Sequence, residues 1–202
     1  MTGRPAIFID KDGTLIENVP YNVDPQKLRF YAAAPEALQA LADAGYVLVI
    51  VTNQSGIERG YFSVAQFGHL QTELEKRLTQ KGVVLTDFLF CPHAPDPNET
   101  PTCQCRKPAP GMLVQAARRH HLDLSRSWMM GDTLDDIEAG HRAGCRSLFF
   151  DSGGETVWRK GPMRTPDAVC NHWDEVVDTV LGKPLSWVAP TQATALSSSL
   201  PP

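Results

Sequence analysis

The stretch AIFIDKDGT, residues 6–14, decides the fold, because an uninterrupted apolar run passes at once into a pair of aspartates. Four apolar residues without polar alternation are typical of a strand buried on both faces, as in parallel sheets. Asp10 and Asp12 reach the same side only if the chain leaves the strand pleat after the run. Gly13 gives the backbone that freedom. The stretch therefore predicts a buried strand with two carboxylates at its carboxyl end.

Similar apolar runs alternate with helical patterns along most of the chain. Strand patterns occupy residues 46–51 (YVLVIV), 87–90, 128–130 and 148–150, and helical patterns occupy residues 35–44, 63–78, 112–119 and 134–143. The helix that follows Ser63 begins with a capping box to Gln66, and its apolar residues recur at helical spacing. Strand–helix alternation of this kind predicts an α/β fold with a doubly wound parallel sheet.

Composition narrows the class of protein. The chain has 202 residues, of which 42% are hydrophobic and 21% charged, and its net charge is −4 without any basic run. This excludes a general binder of nucleic-acid backbone, since that affinity comes from clustered Lys and Arg. We predict one domain over residues 1–182 and a mobile Pro- and Ser-rich tail over residues 183–202. The first residues match neither a signal peptide nor a membrane span, so we expect a cytoplasmic protein without a membrane partner.

Chemically capable side chains follow successive predicted strands. Asp10 and Asp12 follow the first strand, Thr52 the second, Lys107 ends the segment after the third, and Asp132 follows the fourth. Ligands of doubly wound sheets bind beyond the carboxyl ends of the strands. Each motif alone is typical of a turn or a helix start, and only their joint order favours a site.

This set of residues suits phosphoryl transfer. Carboxylates of Asp10, Asp12 and Asp132 held together repel one another unless a cation lies between them, and hard oxygen ligands suit Mg²⁺. Thr52 and Lys107 add a hydroxyl donor and a positive charge for a phosphate group. The hypothesis is that Asp10 attacks phosphorus and forms an aspartyl phosphate. Asp12 then protonates the leaving alkoxide and later deprotonates the attacking water.

The segment CPHAPDPNETPTCQCRKP, residues 91–108, has no helical or strand period. Cys91, His93, Cys103 and Cys105 form an S₃N set that suits a closed, structural zinc site. Their one-residue gaps are tighter than the usual C-x₂-C spacing, so a loop with free thiols and an incidental histidine stays open as an alternative.

Four motifs together resemble the haloacid dehalogenase-like (HAD) phosphohydrolases. They are FIDKDGT, VTNQSG, the lysine of CRKP and the GDTLDD that carries Asp132 and Asp136. With RGYFS, CPH and C-x-CRKPxPGM, the sequence is similar to the D-glycero-D-manno-heptose 1,7-bisphosphate 7-phosphatases, and the histidinol-phosphatase branch shares much of the pattern.

The resemblance implies a Rossmann-like three-layer sandwich with a zinc-binding loop at residues 91–105 and no large cap domain. It also implies Mg²⁺-dependent removal of the 7-phosphate, on the route to the activated heptose of lipopolysaccharide. Asp10 is then the nucleophile, Asp12 the acid/base, and Thr52 and Lys107 the phosphate stabilisers. Magnesium ligands are Asp10, the Asp12 carbonyl and Asp132, supported by Asp136, and substrate contacts are Asn18, Val19, Pro20, Tyr21, Asn53, Gln54, Ser55 and Arg106.

Two positions depart from the family pattern. Lys11 stands where the first motif often has arginine, and Thr133 stands where a basic residue often follows the fourth-motif aspartate. We expect neither to touch the chemical step and both to affect recognition of the sugar or of a second phosphate. Cations that could meet a second phosphate are Arg59, Arg106, Lys160 and Arg164.

The cysteine segment also suggests how the active site is built. We hypothesise that zinc closes this loop and orients Arg106 and Lys107 toward the phosphate pocket. The closed loop would then form one wall of the cleft, in place of a cap domain.

Three alternatives remain at the level of sequence. The same chemistry would serve histidinol phosphate, another sugar phosphate or a nucleotide. A non-catalytic metal-binding scaffold would have a broken catalytic set, whereas every role here has its residue. A nucleic-acid zinc module would need a basic, aromatic loop, and this loop is acidic and proline-rich. We therefore expect a monomer that acts on a small sugar phosphate, without a nucleic-acid partner.

Overall fold

The computed structural model describes residues 3–96 and 103–182. The predicted tail, residues 183–202, lies outside the described residues, as do residues 97–102 of the cysteine segment. The strands in the described part are β1 (Ala6–Ile9), β2 (Val47–Asn53), β3 (Asp87–Cys91), β4 (Trp128–Gly131), β5 (Arg146–Phe150) and β6 (Ala168–Cys170). They form one parallel sheet of order β3-β2-β1-β4-β5-β6, in agreement with the predicted α/β class.

Sheet register brings the ends of the central strands level with one another. Ile9, the last residue of β1, lies opposite Ile50 of β2 and Met130 of β4. The chain order changes direction between β1 and β4, which is the switch point where doubly wound sheets bind ligands. Residues that follow β1, β2 and β4 therefore emerge together at one edge of the sheet.

Helices cover both faces of the sheet and produce three layers. The described helices are α1 (Ala34–Asp43), α2 (Val64–Gln80), α3 (Gly111–His120), α4 (Leu134–Ala143) and α5 (Trp173–Leu181), with short 3₁₀ turns at Pro25–Lys27 and Leu124–Arg126. Ile7 and Ile9 pack with α1, α2 and α5, whereas Ala6 and Phe8 pack with α3 and α4. This alternation explains why β1 has no polar residue. Within residues 3–96 and 103–182, no segment forms a large cap over the sheet.

Helix α2 follows its sequence signature closely. The Ser63 N–H donates to Gln66 Oε1 at 2.8 Å, and the Gln66 N–H donates to Ser63 Oγ at 3.2 Å. The predicted capping box is therefore confirmed. The apolar stripe behind it is fully buried, and its members are Phe67, Leu70, Leu74 and Leu78.

The sequence patterns did not predict β6 or α5. Trp173, Val176 and Val180 form the buried side of α5, and the Trp173 Nε1–H donates to the carbonyl oxygen of Thr14 at 3.1 Å. This bond ties the last described helix to the loop that follows β1. None of the described helices is both long and apolar enough to cross a membrane.

The α2 stripe provides a test of the core. We expect Leu74→Ala to lower the free energy of unfolding by about 2–5 kcal/mol, since a fully buried leucine leaves a cavity when truncated. Val84 is 70% exposed, so Val84→Ala should change stability by at most about 0.5 kcal/mol. Urea denaturation measures both variants, and equal losses would contradict the assignment of the stripe to the core.

Candidate active site

The loops at the carboxyl edge of the sheet enclose a cavity of about 380 Å³. Every residue that was predicted to catalyse or to contact substrate lines this cavity. They are Asp10, Asp12, Asn18, Val19, Pro20, Tyr21, Thr52, Asn53, Gln54, Ser55, Arg106 and Lys107. Asp132, Thr133, Asp135 and Asp136 complete the wall on the α4 side. The convergence inferred from strand order is therefore present in space.

Lys107 is the central cation of the site. Its side chain is 3% exposed, and its Nζ forms ion pairs with Asp10 and, at 2.6 Å, with Asp136 Oδ1. It also donates to the Val51 carbonyl oxygen at 2.9 Å. Burial alone would lower the pKa of this ammonium, but the carboxylates of Asp10 and Asp136 outweigh burial and raise it. Lys107 is therefore a fixed positive charge.

Asn53 holds the backbone of Lys107 in place. Its Nδ2–H donates to the Lys107 carbonyl oxygen at 3.2 Å, and its Oδ1 accepts from the Lys107 N–H at 3.1 Å. Asn53 therefore lines the cavity as predicted, but its amide is engaged with the backbone of Lys107. These two hydrogen bonds fix the position of the Lys107 backbone relative to the end of β2.

Three buried carboxylates cluster beside Lys107. Asp10, Asp132 and Asp136 each offer an oxygen within 4.8 Å of the others. Burial, together with repulsion from Asp136 and Asp12, raises the pKa of Asp10 to about 7 although Lys107 opposes the shift. Burial and the charges of Asp10 and Asp136 raise the pKa of Asp132 to about 8. Such a cluster has more negative charge than one lysine offsets, and its oxygen donors fit Mg²⁺.

The third carboxylate of this cluster differs from the one that the sequence suggested. We expected the side chains of Asp10, Asp12 and Asp132 to gather, but the cluster contains Asp136 in place of Asp12. Asp136 lies in the first turn of α4, where its Oδ2 accepts from both the N–H and the hydroxyl of Thr133. Thr133 thereby supports a carboxylate of the site and also lines the cavity, and its effect on recognition of the sugar or of a second phosphate stays a prediction.

Asp12 points to a different set of partners. Lys11 Nζ lies 2.6 Å from Asp12 Oδ1, and Gln54 Nε2–H donates to Asp12 Oδ2 at 2.9 Å. Gln54 also donates to Thr52 Oγ1 at 2.9 Å. Lys11 is 1% exposed and does not line the cavity. Lys11 therefore contacts Asp12 rather than the cavity, and its effect on recognition of the sugar or of a second phosphate stays a prediction.

Two glycines permit this crowding. Gly13 has φ +80°, and a Cβ there would overlap Asp132 Oδ2. At Gly131 a Cβ would overlap the side chain of Asp136. Thr14, which sequence reasoning did not single out, donates its hydroxyl to Asp132 Oδ1 at 3.4 Å. Its only signal in the sequence is its place in the DKDGT motif.

The four predicted zinc ligands also meet. Sγ of Cys105 lies 2.9 Å from Sγ of Cys91, 3.4 Å from Sγ of Cys103 and 3.3 Å from Nδ1 of His93. All four donor atoms lie within 4.8 Å of one another. Ligands about 2.3 Å from a tetrahedral centre would be roughly 3.8 Å apart, so the donors fit zinc in number and type and lie somewhat closer together than around a bound ion.

Arg106 connects this cysteine–histidine cluster to the cavity. Its Nη1–H donates to the His93 carbonyl oxygen at 3.0 Å, and its backbone N–H points to Cys103 Sγ at 3.4 Å. Burial would raise the pKa of the Cys103 thiol, but this N–H and the neighbouring thiols lower it to about 7. The thiolate form, which binds metals, is favoured as a result.

The candidate cations for a second phosphate are not equally available. Arg106 lines the cavity, whereas Arg59 and Lys160 do not. Arg164 donates to Glu138 at 2.6 Å and to Asp135 at 2.9 Å. It is therefore a structural residue of the α4 surface.

Comparison with known proteins extends these observations. The family model described as HAD-hydrolase-like matches residues 104–176. The D-glycero-beta-D-manno-heptose-1,7-bisphosphate 7-phosphatase of Haemophilus ducreyi is 38% identical over 181 residues, which are 88% of this chain and 99% of that protein. The D-glycero-alpha-D-manno-heptose-1,7-bisphosphate 7-phosphatase of Photorhabdus laumondii is 37% identical over 150 residues, 73% of this chain and 82% of that protein.

This chain belongs to the heptose-1,7-bisphosphate 7-phosphatase family. A solved structure agrees with that assignment: the D,D-heptose 1,7-bisphosphate phosphatase of B. bronchiseptica, complexed with magnesium and phosphate, is 32% identical with a TM-score of 0.77. The similarity covers 89% of this chain and 99% of that one. Membership in this family of HAD-like hydrolases confirms the resemblance drawn from the four motifs.

Gly13 offers a test of the site geometry. We expect Gly13→Ala to lower Mg²⁺ affinity about 10–100-fold, since a methyl group there displaces Asp132 from the carboxylate cluster. The matched control is Gly45→Ala, because Gly45 has φ +95° but nothing within 4 Å of an added Cβ. Both variants carry the backbone strain of a left-handed residue. Calorimetric titration with Mg²⁺ separates them, and equal affinities would contradict the proposed crowding.

Proposed function

We propose that this protein is a Mg²⁺-dependent phosphatase that removes the 7-phosphate of D-glycero-D-manno-heptose 1,7-bisphosphate. The observation that carries the proposal is similarity over 99% of a relative with that name, together with a complete catalytic set on one cavity. The reaction would supply a heptose 1-phosphate for nucleotide activation on the route to lipopolysaccharide.

Asp10 and Asp12 divide the reaction between them. Asp10 attacks the phosphorus, the ester P–O bond breaks, and the leaving oxygen takes a proton from Asp12. In the second half, Asp12 takes a proton from water, whose oxygen attacks the phosphorus and releases the Asp10 carboxylate. Thr52 and Lys107 bind the phosphate oxygens and keep its charge from repelling the nucleophile.

Magnesium fits the carboxylate edge of the cavity. Asp10, Asp132 and the Asp12 carbonyl would hold it, and Asp136 supports them through Lys107 and Thr133. Bound there, the ion supplies charge neutralisation of the phosphate. Raised pKa values at Asp10 and Asp132 support this role, because both carboxylates gain from a nearby cation.

Zinc fits the cysteine–histidine cluster, and we propose that its role is structural. Cys91, His93, Cys103 and Cys105 are four protein ligands, which leaves no open position for catalysis. Because Arg106 is bonded to two of these residues and precedes Lys107, a closed cluster fixes both cations at the cavity.

We further propose a monomer in the cytoplasm. Every role in the proposed reaction has its residue on this chain, so the reaction as proposed calls for no residue from a second copy. Thiolate ligands to zinc also suit a compartment that keeps cysteines reduced.

A phosphate-release screen tests the function. With Mg²⁺ present, we expect turnover of heptose 1,7-bisphosphate to exceed that of histidinol phosphate and common hexose phosphates. Both anomers are offered, because relatives of nearly equal identity carry the alpha and the beta name. Asp10→Asn should lose nearly all activity, whereas Asp43→Asn, at an exposed position on α1, should lose none. A metal-loaded protein that is inert toward every phosphomonoester would refute the proposal.

Removal of zinc tests the structural role. We expect Cys103→Ser to lower zinc content and the melting temperature and to raise KM, while the Asp10 chemistry persists, because Arg106 and Lys107 lose their anchor. Cys145→Ala is the control, since it deletes a buried thiol outside the cluster and should keep one zinc per chain. Elemental analysis, thermal melting and steady-state kinetics give the readouts. An unchanged KM and melting temperature in zinc-free protein would count against a structural role of zinc in the cysteine–histidine cluster.

A further inference from the structure

Lys11 lies between the two catalytic aspartates in sequence, yet its side chain turns away from the cavity into the protein. It is almost fully buried, and its Nζ lies 2.6 Å from Asp12 Oδ1 and 5.8 Å from the ring centre of Phe67. A buried ammonium is costly unless an anion and suitable contacts compensate for lost water. Asp12 is the anion that compensates here, so the two side chains fix one another.

Both oxygens of Asp12 are held. Oδ1 accepts from Lys11, and Oδ2 accepts from Gln54, whose amide also reaches Thr52 at 2.9 Å. Two donors on opposite oxygens fix the plane of the carboxyl group. Since Gln54 and Thr52 line the cavity, Oδ2 is the oxygen on the substrate side.

We propose that Lys11 is a positioning residue that prepares Asp12 for its acid step. An ammonium group has donors and no acceptor, so Oδ1 must accept from it. Oδ1 is thereby engaged with Lys11, and Oδ2, which accepts from Gln54, is the oxygen on the cavity side, from which a proton can pass to the leaving group. As Asp10 forms its bond to phosphorus and the ester P–O bond breaks, the leaving oxygen takes the proton from Oδ2. This inference rests on the proposed phosphatase function.

The inference predicts a dependence on the leaving group. An alkoxide, such as the sugar oxygen, needs the proton of Asp12, whereas p-nitrophenolate leaves without one. The ratio kcat/KM reports the first phosphoryl transfer, before the shared hydrolysis of the aspartyl phosphate. Lys11→Met should therefore lower kcat/KM for heptose 1,7-bisphosphate by about tenfold or more. The loss for p-nitrophenyl phosphate should be much smaller.

Matched variants define the controls. Lys11→Arg keeps a cation and should restore most of the lost activity. Lys81→Met removes a lysine whose carboxylate partner, Glu36, lies on the protein surface, so both substrates should be unaffected. In an Asp12→Asn background, Lys11→Met should cause no further loss, because residues that act through one group are not additive. Circular dichroism checks folding, and Lys11→Gln replaces Lys11→Met if the latter is unfolded.

The outcomes separate this inference from the function on which it rests. An equal loss on both substrates, or no loss on either, would overturn the role of Lys11 while the phosphatase function stands. A further loss in the Asp12→Asn background would also overturn it, since Lys11 would then act by another route. A wild-type protein that hydrolyses neither substrate would remove the proposed function itself.

Discussion

The ion pairs of Lys107 with Asp10 and Asp136 are the interaction on which the site depends. A lysine buried among carboxylates at the end of three strands balances charges that would otherwise drive these strand ends apart. Lys107 comes from an irregular segment, which by itself would not fix a side chain. The amide of Asn53 and the tie of Arg106 to the cysteine–histidine cluster supply the missing rigidity. The cluster thus bears on the cavity through Arg106 without itself lining it.

Sheet register sets the second constraint. Because β1 pairs in parallel with β2 and β4, the residues that follow these strands share one edge. The cost of this convergence is crowding, which the glycines at positions 13 and 131 relieve. A side chain at either position would have to enter the space of Asp132 or Asp136. The glycines of the DKDGT and GD motifs are therefore required by the packing of the neighbouring aspartates, in addition to any chemical role of the motifs.

Much of this arrangement could be predicted from the sequence, because the decisive signals are local. The apolar run at residues 6–9 and the capping box at Ser63 depend on near neighbours and correspond to β1 and α2. In contrast, β6 has three residues and exists through its pairing with β5, which no local pattern encodes. The direction of the Lys11 side chain likewise depends on the turn after β1. From the sequence, a lysine between two aspartates suggests a contact with substrate. Only the fold shows that the Lys11 side chain is buried.

Two lysines give two similar aspartates different surroundings. Asp10 and Asp12 are two residues apart and chemically alike, but Asp10 contacts Lys107 while Asp12 contacts Lys11. Lys107 lies on the cavity wall, where a bound phosphate could share its charge with Asp10. Lys11 lies behind the wall, where its Nζ contacts Asp12 and faces the ring of Phe67. The position of each cation relative to the cavity therefore distinguishes the two aspartates, which agrees with the roles of nucleophile and acid that we propose for them.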